Sequence, residues 1–360
     1  MATTQRRDIL HGSVLKTRTL KHRPLSSSTP NTSPPLSDTF HRQVSYARIA
    51  VTGACNLRCA YCMREEHESD SSGRTKMSFT ELTTLISVLA EAGITKIRLT
   101  GGEPLLRGDI ADLVATAKNT PGIKTVSITT NGLLLDRHLD ALLSAGIDAV
   151  NMSIDSLRAD RFLAITRRNE FERTKANLDR LLSLESVPLK INVVMLRGIN
   201  DDEIKDFTNL TREHPISVRF MELQPFDDHQ IWRTGKFLGM DKIRGLLQSA
   251  HPGMEELQGS GTEYFSFTLP GYRGSWAIIP AYTRNFCSRC NRLRVRADGH
   301  LVSCLYEKEG IDMLSAIRNG ESRENLLELV RQSVRLKPED GKTTDRGESS
   351  MGRSMSEIGG

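Results

Sequence analysis

Short β-rich runs alternate with helical runs between residues 45 and 224, and this alternation restricts the fold more than any other feature of the chain. The strand-like runs are YARIAV, KIRLT, TVSITT, AVNMSI, LKINVVM and SVRFMEL. The helical runs between them cover residues 79–92, 110–118, 136–145, 171–184 and 202–212. This order predicts an α/β fold with a mainly parallel sheet and helices outside it. Six strands of this kind fit either an incomplete barrel or a doubly wound sheet.

The composition indicates a folded protein with neither a membrane anchor nor a nucleic-acid site. Hydrophobic residues make up 38% of the chain and charged residues 26%, which is ordinary for a globular protein. The longest apolar runs, such as residues 139–147, are far shorter than the roughly 20 residues of a membrane-spanning helix. The net charge of +5 suits an anionic ligand but is spread too evenly to indicate nucleic acid.

Composition and pattern divide the chain into four predicted regions. Residues 1–40 are basic and rich in Ser and Thr, which predicts a disordered arm or a transit peptide. Residues 41–224 form the repeating core. Residues 225–340 form an extension with helices near 241–248, 311–318 and 324–336, and with strands at EYFSFTL and SWAIIP. Residues 341–360 form a flexible tail that ends in Gly-Gly.

The first three cysteines, Cys55, Cys59 and Cys62, stand in CNLRCAYC directly after the first strand. That edge of a parallel α/β fold is where active sites form. No signal-peptide core precedes them, so we expect thiolates that hold metal rather than disulfides. Zinc would need a fourth ligand such as His67. A [4Fe-4S] cluster held by three cysteines would leave one iron open to a ligand.

The other three cysteines, Cys287, Cys290 and Cys304, form a C-x2-C-x13-C pattern in the extension. His300 lies between the second and third of them and would complete a Cys3His zinc site. Spacing alone leaves zinc and an iron–sulfur cluster both open at this second triplet.

CNLRCAYC, with Tyr61 before its last cysteine, resembles the signature of the radical S-adenosylmethionine (SAM) superfamily. The resemblance implies that the open iron of a [4Fe-4S] cluster binds SAM and that reductive cleavage yields a 5′-deoxyadenosyl radical. TGGEP resembles the segment that receives the methionine amino group. The SAM contacts carried over by this resemblance are Tyr61, Gly102 and Ser153. TTNG and NMSID end the third and fourth strands, so Asn131 and Asp155 belong to the same edge of the sheet.

NFCSRCNRLRVRADGHLVSCL and the terminal IGG resemble the GTP 3′,8-cyclase family over residues 45–360. The resemblance implies a second [4Fe-4S] cluster whose open iron binds the guanine base. The implied GTP contacts are Arg48, Arg98, Thr129, Lys190, Arg292, Leu293 and Arg294. It further implies catalytic roles for Arg292, Arg294, Gly359 and Gly360, with the Gly-Gly tail entering the active site. Gln224 stands where the family commonly has Met.

The family resemblance implies an incomplete (β/α)6 TIM-type barrel whose open side is closed by a C-terminal α+β extension. The implied reaction abstracts hydrogen from the ribose C3′ of GTP and joins that carbon to guanine C8. The product is (8S)-3′,8-cyclo-7,8-dihydroguanosine 5′-triphosphate, and the reaction is the first step of molybdenum cofactor biosynthesis. Implied partners are an electron donor such as flavodoxin or ferredoxin and the downstream cyclic pyranopterin monophosphate synthase. We expect a monomer or homodimer in the cytoplasm, or in the mitochondrial matrix if the source is eukaryotic.

Two other functions stay open on the sequence alone. One is a radical SAM enzyme with an auxiliary cluster that modifies a peptide, using the basic residues to bind an acidic substrate. The other is a zinc-stabilised adaptor with a Cys3His site at each triplet, which predicts two zinc atoms and no acid-labile sulfide.

Overall fold

The computed structural model describes residues 35–62, 77–224, 234–257, 265–283, 287–341 and 355–359. The strands are β1 (Tyr46–Ala50), β2 (Lys96–Thr100), β3 (Thr125–Thr130), β4 (Ala149–Ser153), β5 (Leu189–Val194), β6 (Ser217–Met221), β7 (Glu255–Leu257), β8 (Phe265–Thr268), β9 (Ser275–Ile279), β10 (Arg292–Val295), β11 (His300–Val302) and β12 (Ile311–Asp312). The helices are α1 (Phe79–Glu91), α2 (Ile110–Asn119), α3 (Leu135–Ser144), α4 (Ala159–Thr166), α5 (Phe171–Leu184), α6 (Ile204–Glu213), α7 (Met240–Ala250), α8 (Met313–Arg318), α9 (Arg323–Arg335) and α10 (Met355–Ile358).

The strands form one sheet in the order β12-β11-β10-β1-β2-β3-β4-β5-β6-β9-β8-β7. Strands β1 to β6 are parallel and follow the chain order, with β10 parallel to β1 and β9 parallel to β6. A doubly wound sheet would reverse its strand order at a switch point, and this sheet does not. Between the described residues no hydrogen bonds join its two ends, so the predicted incomplete barrel is confirmed. Two strands of the extension flank the opening, β10 beside β1 and β9 beside β6.

Alternation along the strands separates the hydrophobic core from the barrel interior. In β1, the side chains of Ala47 and Ile49 join the core cluster that also contains buried residues of the surrounding helices. Arg48 lies between them and therefore points to the opposite face. The same alternation places Arg98 of β2 and Arg294 of β10 on the interior face, beside Arg48. The fold thus buries apolar residues outside the sheet and gathers cations inside it.

Most predicted elements are present, and the structure adds several that were not predicted, among them β7, β10, β11 and α10. The connection from β4 to β5 contains two helices, α4 and α5, where the sequence suggested one. A short strand, β12, precedes α8, so the helix predicted over 311–318 begins at Met313. A capping box begins α1: the Ser78 hydroxyl accepts from the Glu81 backbone, and the Glu81 carboxylate accepts from the Ser78 backbone.

The limits of the predicted regions remain predictions. Most of the predicted N-terminal arm lies outside the described residues, although Leu36 and Asp38, at its end, are buried. His67 and Gly360 also lie outside them. No helix in the described ranges has the length and apolarity needed to cross a bilayer.

Candidate active site

A cavity of about 340 Å³ opens at the carboxyl ends of the parallel strands. All six cysteines line it, so the two triplets, far apart in sequence, share one space. The ends of the strands also contribute lining residues: Gly101, Thr130, Ser153, Val194, Met221 and Ile279. The cavity therefore lies where the sequence predicts an active site.

The loop after β1 presents the first triplet to this cavity. The guanidinium of Arg58 donates to the carbonyl of Cys55 at 2.7 Å, and the backbone N–H of Cys62 donates to the carbonyl of Cys59 at 2.9 Å. The backbone of Ala60 donates to Ile165 of α4 at 2.9 Å. Between the described residues, none of the three cysteines forms a disulfide. The loop is thus anchored through its backbone, which leaves the sulfurs available as ligands.

Gly102 is required by close packing of two backbones. Its N–H donates to the carbonyl of Thr52 at 2.8 Å, and a Cβ placed on Gly102 would lie 2.2 Å from the carbonyl oxygen of Ala54. Such a contact is far below van der Waals distance, so any larger residue would push the cysteine loop away. Gly102 also lines the cavity, as the predicted SAM contact requires.

Glu103 is a buried carboxylate that ties the ends of β2 and β3 together. It accepts from the backbone of Leu105 at 2.9 Å, from the hydroxyl of Thr130 at 2.8 Å and from the backbone of Asn131 at 2.7 Å. Burial nevertheless raises the pKa of its carboxyl to about 7. The side chain of Asn131 then lies against the first triplet, with its amide nitrogen 3.8 Å from the sulfur of Cys55.

Asp155 follows β4 and binds the aromatic residue of the cysteine motif. It accepts from the hydroxyl of Tyr61 at 2.6 Å and from the backbone of Val194 at 2.8 Å. Burial raises the pKa of Asp155 to about 6. Burial, and after it the negative charge of Asp155, raise the pKa of the Cys59 thiol well above its usual value. The first triplet therefore has an acidic neighbourhood.

Glu222, after β6, has a comparable structural role. It accepts from the backbone N–H groups of Met240, Tyr282 and Thr283 at 2.7, 2.8 and 3.0 Å. Each of the strands β2, β4 and β6 is thus followed by a buried carboxylate that fixes the loops at the rim. Of these three, the sequence analysis singled out only Asp155.

Arginines form a row across three neighbouring strands inside the barrel. Arg48 of β1 is in register with Arg294 of β10 on one side and with Arg98 of β2 on the other. Burial, followed by the charge of Arg294, lowers the pKa of Arg48 well below its usual value. Burial and the charge of Arg292 lower the pKa of Arg294 to about 10. Like charges opposite one another in a sheet are destabilising, so this row favours an anionic ligand.

The other predicted GTP contacts are divided between the cavity and its surroundings. Arg292 and Thr129 line the cavity, whereas Lys190 and Leu293 are not among its lining residues. Leu293 is fully buried in the core, so only its backbone is able to meet a ligand. Thr129 has a buried hydroxyl with no hydrogen-bond partner within the described ranges. Such an orphaned group fits a polar ligand, which supports a substrate at this point.

Arg219 of β6 is a lining residue that the sequence analysis missed. It is 6% exposed, and its guanidinium lies 3.5 Å from the side-chain oxygen of Asn151. It faces the cavity from the side opposite β1 and adds another buried cation. The sequence feature that could have identified Arg219 is its position as a charged residue inside the largely apolar run SVRFMEL.

The second triplet has a basic neighbourhood. Burial alone would raise the pKa of the Cys290 thiol, but the charges of Lys337 and Arg292 outweigh it and bring that pKa to about 7. Burial raises the pKa of Cys304, against the opposing effect of Lys337. The backbone of Cys290 donates to the carbonyl of Cys287 at 3.0 Å. All three thiols are free.

At the second triplet, His300 is not placed to complete the Cys3His zinc site that its spacing allows. His300 does not line the cavity, and its Nδ1 lies 3.2 Å from the carboxylate of Asp298 instead. In each triplet, three cysteines face the shared cavity, and cysteine thiolates are the ligands that bind iron–sulfur clusters.

The C-terminal segment reaches the arginine row. Met355 of α10 lines the cavity, and the carbonyl of Gly359 accepts from the guanidinium of Arg294 at 2.8 Å. Gly359 is buried with φ of +82°, and a Cβ placed there would lie 3.0 Å from Thr100 and 3.1 Å from Ala50. The site therefore accepts glycine at this position and little else.

Two family models cover most of the chain. The Radical SAM superfamily model matches residues 49–211, and the Molybdenum Cofactor Synthesis C model matches residues 216–343. The GTP 3′,8-cyclase of Chlorobaculum tepidum is 53% identical over 325 residues, which is 90% of this chain and 97% of that protein. The GTP 3′,8-cyclase of Alkaliphilus metalliredigens is 38% identical over 90% of this chain and 100% of that protein.

Solved structures share the fold at much lower identity. Streptococcus suis SuiB bound to S-adenosylmethionine has a TM-score of 0.56 and 14% identity, covering 86% of this chain and 72% of SuiB. The same protein bound to its precursor peptide SuiA gives a TM-score of 0.56 at 13% identity, covering 77% of this chain and 65% of that one. The family models and the identity to the two cyclases go further than this shared fold. The chain belongs to the GTP 3′,8-cyclase family of the radical SAM superfamily.

Proposed function

We propose that this protein is a GTP 3′,8-cyclase that converts GTP to (8S)-3′,8-cyclo-7,8-dihydroguanosine 5′-triphosphate, the first step of molybdenum cofactor biosynthesis. The observation that carries the proposal is a single cavity lined by both cysteine triplets and by a row of arginines, of which Arg98 and Arg294 are buried. Cations suited to an anionic substrate and two sets of cysteine ligands thereby share one cavity. The identity to two proteins named GTP 3′,8-cyclase supports the same conclusion.

Each triplet holds one [4Fe-4S] cluster in this proposal. The first cluster, when bound, supplies the electron that cleaves SAM and starts the radical reaction. Tyr61, Gly102 and Ser153 line the cavity beside the first triplet and bind SAM there. Asp155 holds Tyr61, so the loop keeps its position while the cofactor binds.

The chain's cations hold the substrate. Arg48, Arg98 and Arg294 bind the triphosphate, because guanidinium groups form paired charge-assisted bonds to phosphate. Arg292 and Thr129 approach the same space and position the nucleoside part, next to the second triplet. Lys190 and the backbone of Leu293 stay as proposed contacts. The carbonyl of Gly359 accepts from Arg294, so this residue helps to exclude water from the reacting atoms, and Gly360 stays a proposed catalytic residue.

The wider role is also part of the proposal. A flavodoxin or ferredoxin reduces the first cluster, and the product passes to a cyclic pyranopterin monophosphate synthase. The protein works as a monomer or homodimer in the cytoplasm. These statements rest on the family and on relatives from bacteria.

The test is an anaerobic assay with GTP, SAM and reductant, with the products separated by chromatography and identified by mass. We expect one 5′-deoxyadenosine and one cyclised nucleotide for each GTP consumed. ATP serves as the matched control nucleotide and should give no cyclised product. Cleavage of SAM without any change in GTP would contradict the proposal and favour a peptide-modifying radical enzyme.

A further inference from the structure

Lys337, directly after α9, is a buried cation that the proposed reaction does not use. It is 3% exposed, and its ammonium donates to the carbonyl of Arg292 at 2.8 Å and to the carbonyl of Ser303 at 2.5 Å. Arg292 follows Cys290 by two residues, and Ser303 directly precedes Cys304. One ammonium therefore joins the two chain segments that carry two cysteines of the second triplet.

The charge of Lys337 has no carboxylate among its strongest neighbours. The charged groups that act on it most strongly are Cys290, Cys304, Arg42 and Arg292. Burying an ammonium group without an anion is costly, so such a group is retained where an anion binds nearby. Of the four groups named, Cys290 and Cys304 are the ones that become anionic, so their thiolates are the strongest counter-charges to this ammonium.

Arg42 provides an internal comparison. Its guanidinium donates to the carbonyl of Cys287 at 2.8 Å and to those of Glu339 and Pro338 at 2.7 and 2.6 Å. It is therefore also tied to the backbone of the second triplet. Unlike Lys337, it forms a buried ion pair with Asp38 at 2.5 Å. The carboxylate of Asp38 therefore neutralises the charge of Arg42, whereas the anions that act most strongly on Lys337 are the thiolates of Cys290 and Cys304.

We propose that Lys337 is a positioning residue of the second triplet that both ties its loops together and places an uncompensated positive charge against the cluster bound there. This inference rests on the proposed function, because it takes the second triplet as a cluster site. A positive charge stabilises the more negative, reduced form of a cluster. Lys337 therefore makes the second cluster easier to reduce.

The test is a redox titration of the second cluster, followed by electron paramagnetic resonance. The full-length chain carries Cys55→Ala, Cys59→Ala and Cys62→Ala, so that only the second triplet contributes a signal. In this background, Lys337→Met should lower the midpoint potential, which corresponds to about a tenfold or larger fall in the reduced-to-oxidised ratio at fixed potential. Lys337→Arg should restore most of the original ratio, because it keeps the charge.

Two controls separate charge from general damage. Arg331→Met removes an exposed positive charge from α9 and should leave the ratio unchanged. The pair Asp38→Asn with Arg42→Gln removes backbone contacts without changing the net charge. That pair should reduce the iron bound per chain while the potential of the remaining cluster stays the same.

The outcomes decide the inference separately from the proposed function. An unchanged potential in Lys337→Met, or an equal shift in the Asp38 and Arg42 pair, overturns the inference. If Lys337→Met loses its iron, recovery of the iron by Lys337→Arg supports the inference, and loss in both variants overturns it. A parent chain that binds zinc and no iron at the second triplet overturns the proposed two-cluster function instead.

Discussion

The two cysteine triplets line one cavity but have opposite electrostatic surroundings. Asp155 adds to the effect of burial on Cys59, and burial raises the pKa of Cys55 to about 11. At the second triplet, Lys337 and Arg292 overcome the effect of burial and bring the pKa of Cys290 to about 7. The thiolate form is therefore disfavoured at Cys55 and Cys59 until metal binds and favoured at Cys290, although burial raises the pKa of Cys304 as well. This difference between the triplets supports the proposed division of tasks, with cofactor chemistry at the first and substrate binding at the second.

Replacing one cysteine in each triplet should give the largest effects. Cys59→Ser should lose both SAM cleavage and GTP cyclisation, because the first cluster starts the reaction. Cys290→Ser should lose cyclisation but still cleave SAM when reductant is present. Anaerobic assays of 5′-deoxyadenosine and of cyclised nucleotide measure both activities. Cyclisation by Cys290→Ser, or SAM cleavage by Cys59→Ser, would contradict the division of tasks.

Arg294→Met should have the next largest effect, since it breaks the arginine row. A hydrogen bond to a charged group contributes about 1.5–3 kcal/mol, so kcat/KM for GTP should fall by about 100-fold or more if two such bonds are lost. The Kd for SAM should stay within about threefold, because that ligand binds at the other triplet. Equal losses for GTP and SAM in steady-state kinetics and binding titrations would show that the two regions are not separate.

Deleting Gly359 and Gly360 should lower kcat/KM for GTP by less than Arg294→Met does. The deletion removes the carbonyl that accepts from Arg294, so we expect kcat/KM for GTP to fall by about tenfold or more. Iron content should stay the same, because Gly359 packs against Thr100 and Ala50 and its carbonyl binds Arg294. Full activity of the shortened chain would remove the tail from the active site.

Glu103, on the acidic side of the cavity near the first triplet, should make the free energy of unfolding depend on pH. Its folded pKa of about 7 lies above the ordinary value of 4.5, so the folded state binds more protons between these values. Stability should therefore fall as pH rises from about 4.5 to 7, by about 3 kcal/mol for this group. Urea unfolding of the metal-free protein should show this slope, and Glu103→Gln should lose the part due to Glu103 while keeping the part due to Asp155, whose pKa is raised to about 6. A variant with the parental slope would show that Glu103 is not its source.

Gln224→Met should produce the smallest change. Gln224 lines the cavity, and its side-chain oxygen is buried without a hydrogen-bond partner among the described residues. A thioether removes this unsatisfied group at similar volume, so stability should rise by about 1 kcal/mol. Thermal unfolding is the measurement, with kcat/KM for GTP as the control. A loss of stability would mean that the amide binds something in the folded protein.

The sequence predicted the parts of the site that follow from local pattern. The strand alternation and the loop position of Cys55, Cys59 and Cys62 place the first triplet at the rim without knowledge of tertiary contacts. Family resemblance then supplied most of the arginines.

The remaining parts depend on contacts between distant segments. Arg294 of β10 pairs with Arg48 of β1, and the two strands are far apart in sequence. Neither strand's sequence alone predicts the register in which they pair. Lys337 follows a helix end, where a cation is ordinary, so nothing in its neighbourhood indicated that it is buried. The roles of Glu103 and Glu222 were also invisible, because a carboxylate after a strand shows its backbone partners only in the folded protein.

The most direct test of the two-triplet account is the content of iron, zinc and acid-labile sulfide per chain after reconstitution without oxygen. The account predicts roughly eight iron and eight sulfide per chain, with absorption near 400 nm, because each triplet binds a four-iron cluster. About four iron with one zinc would contradict the proposed role of the second triplet. Two zinc with no sulfide would contradict the account as a whole.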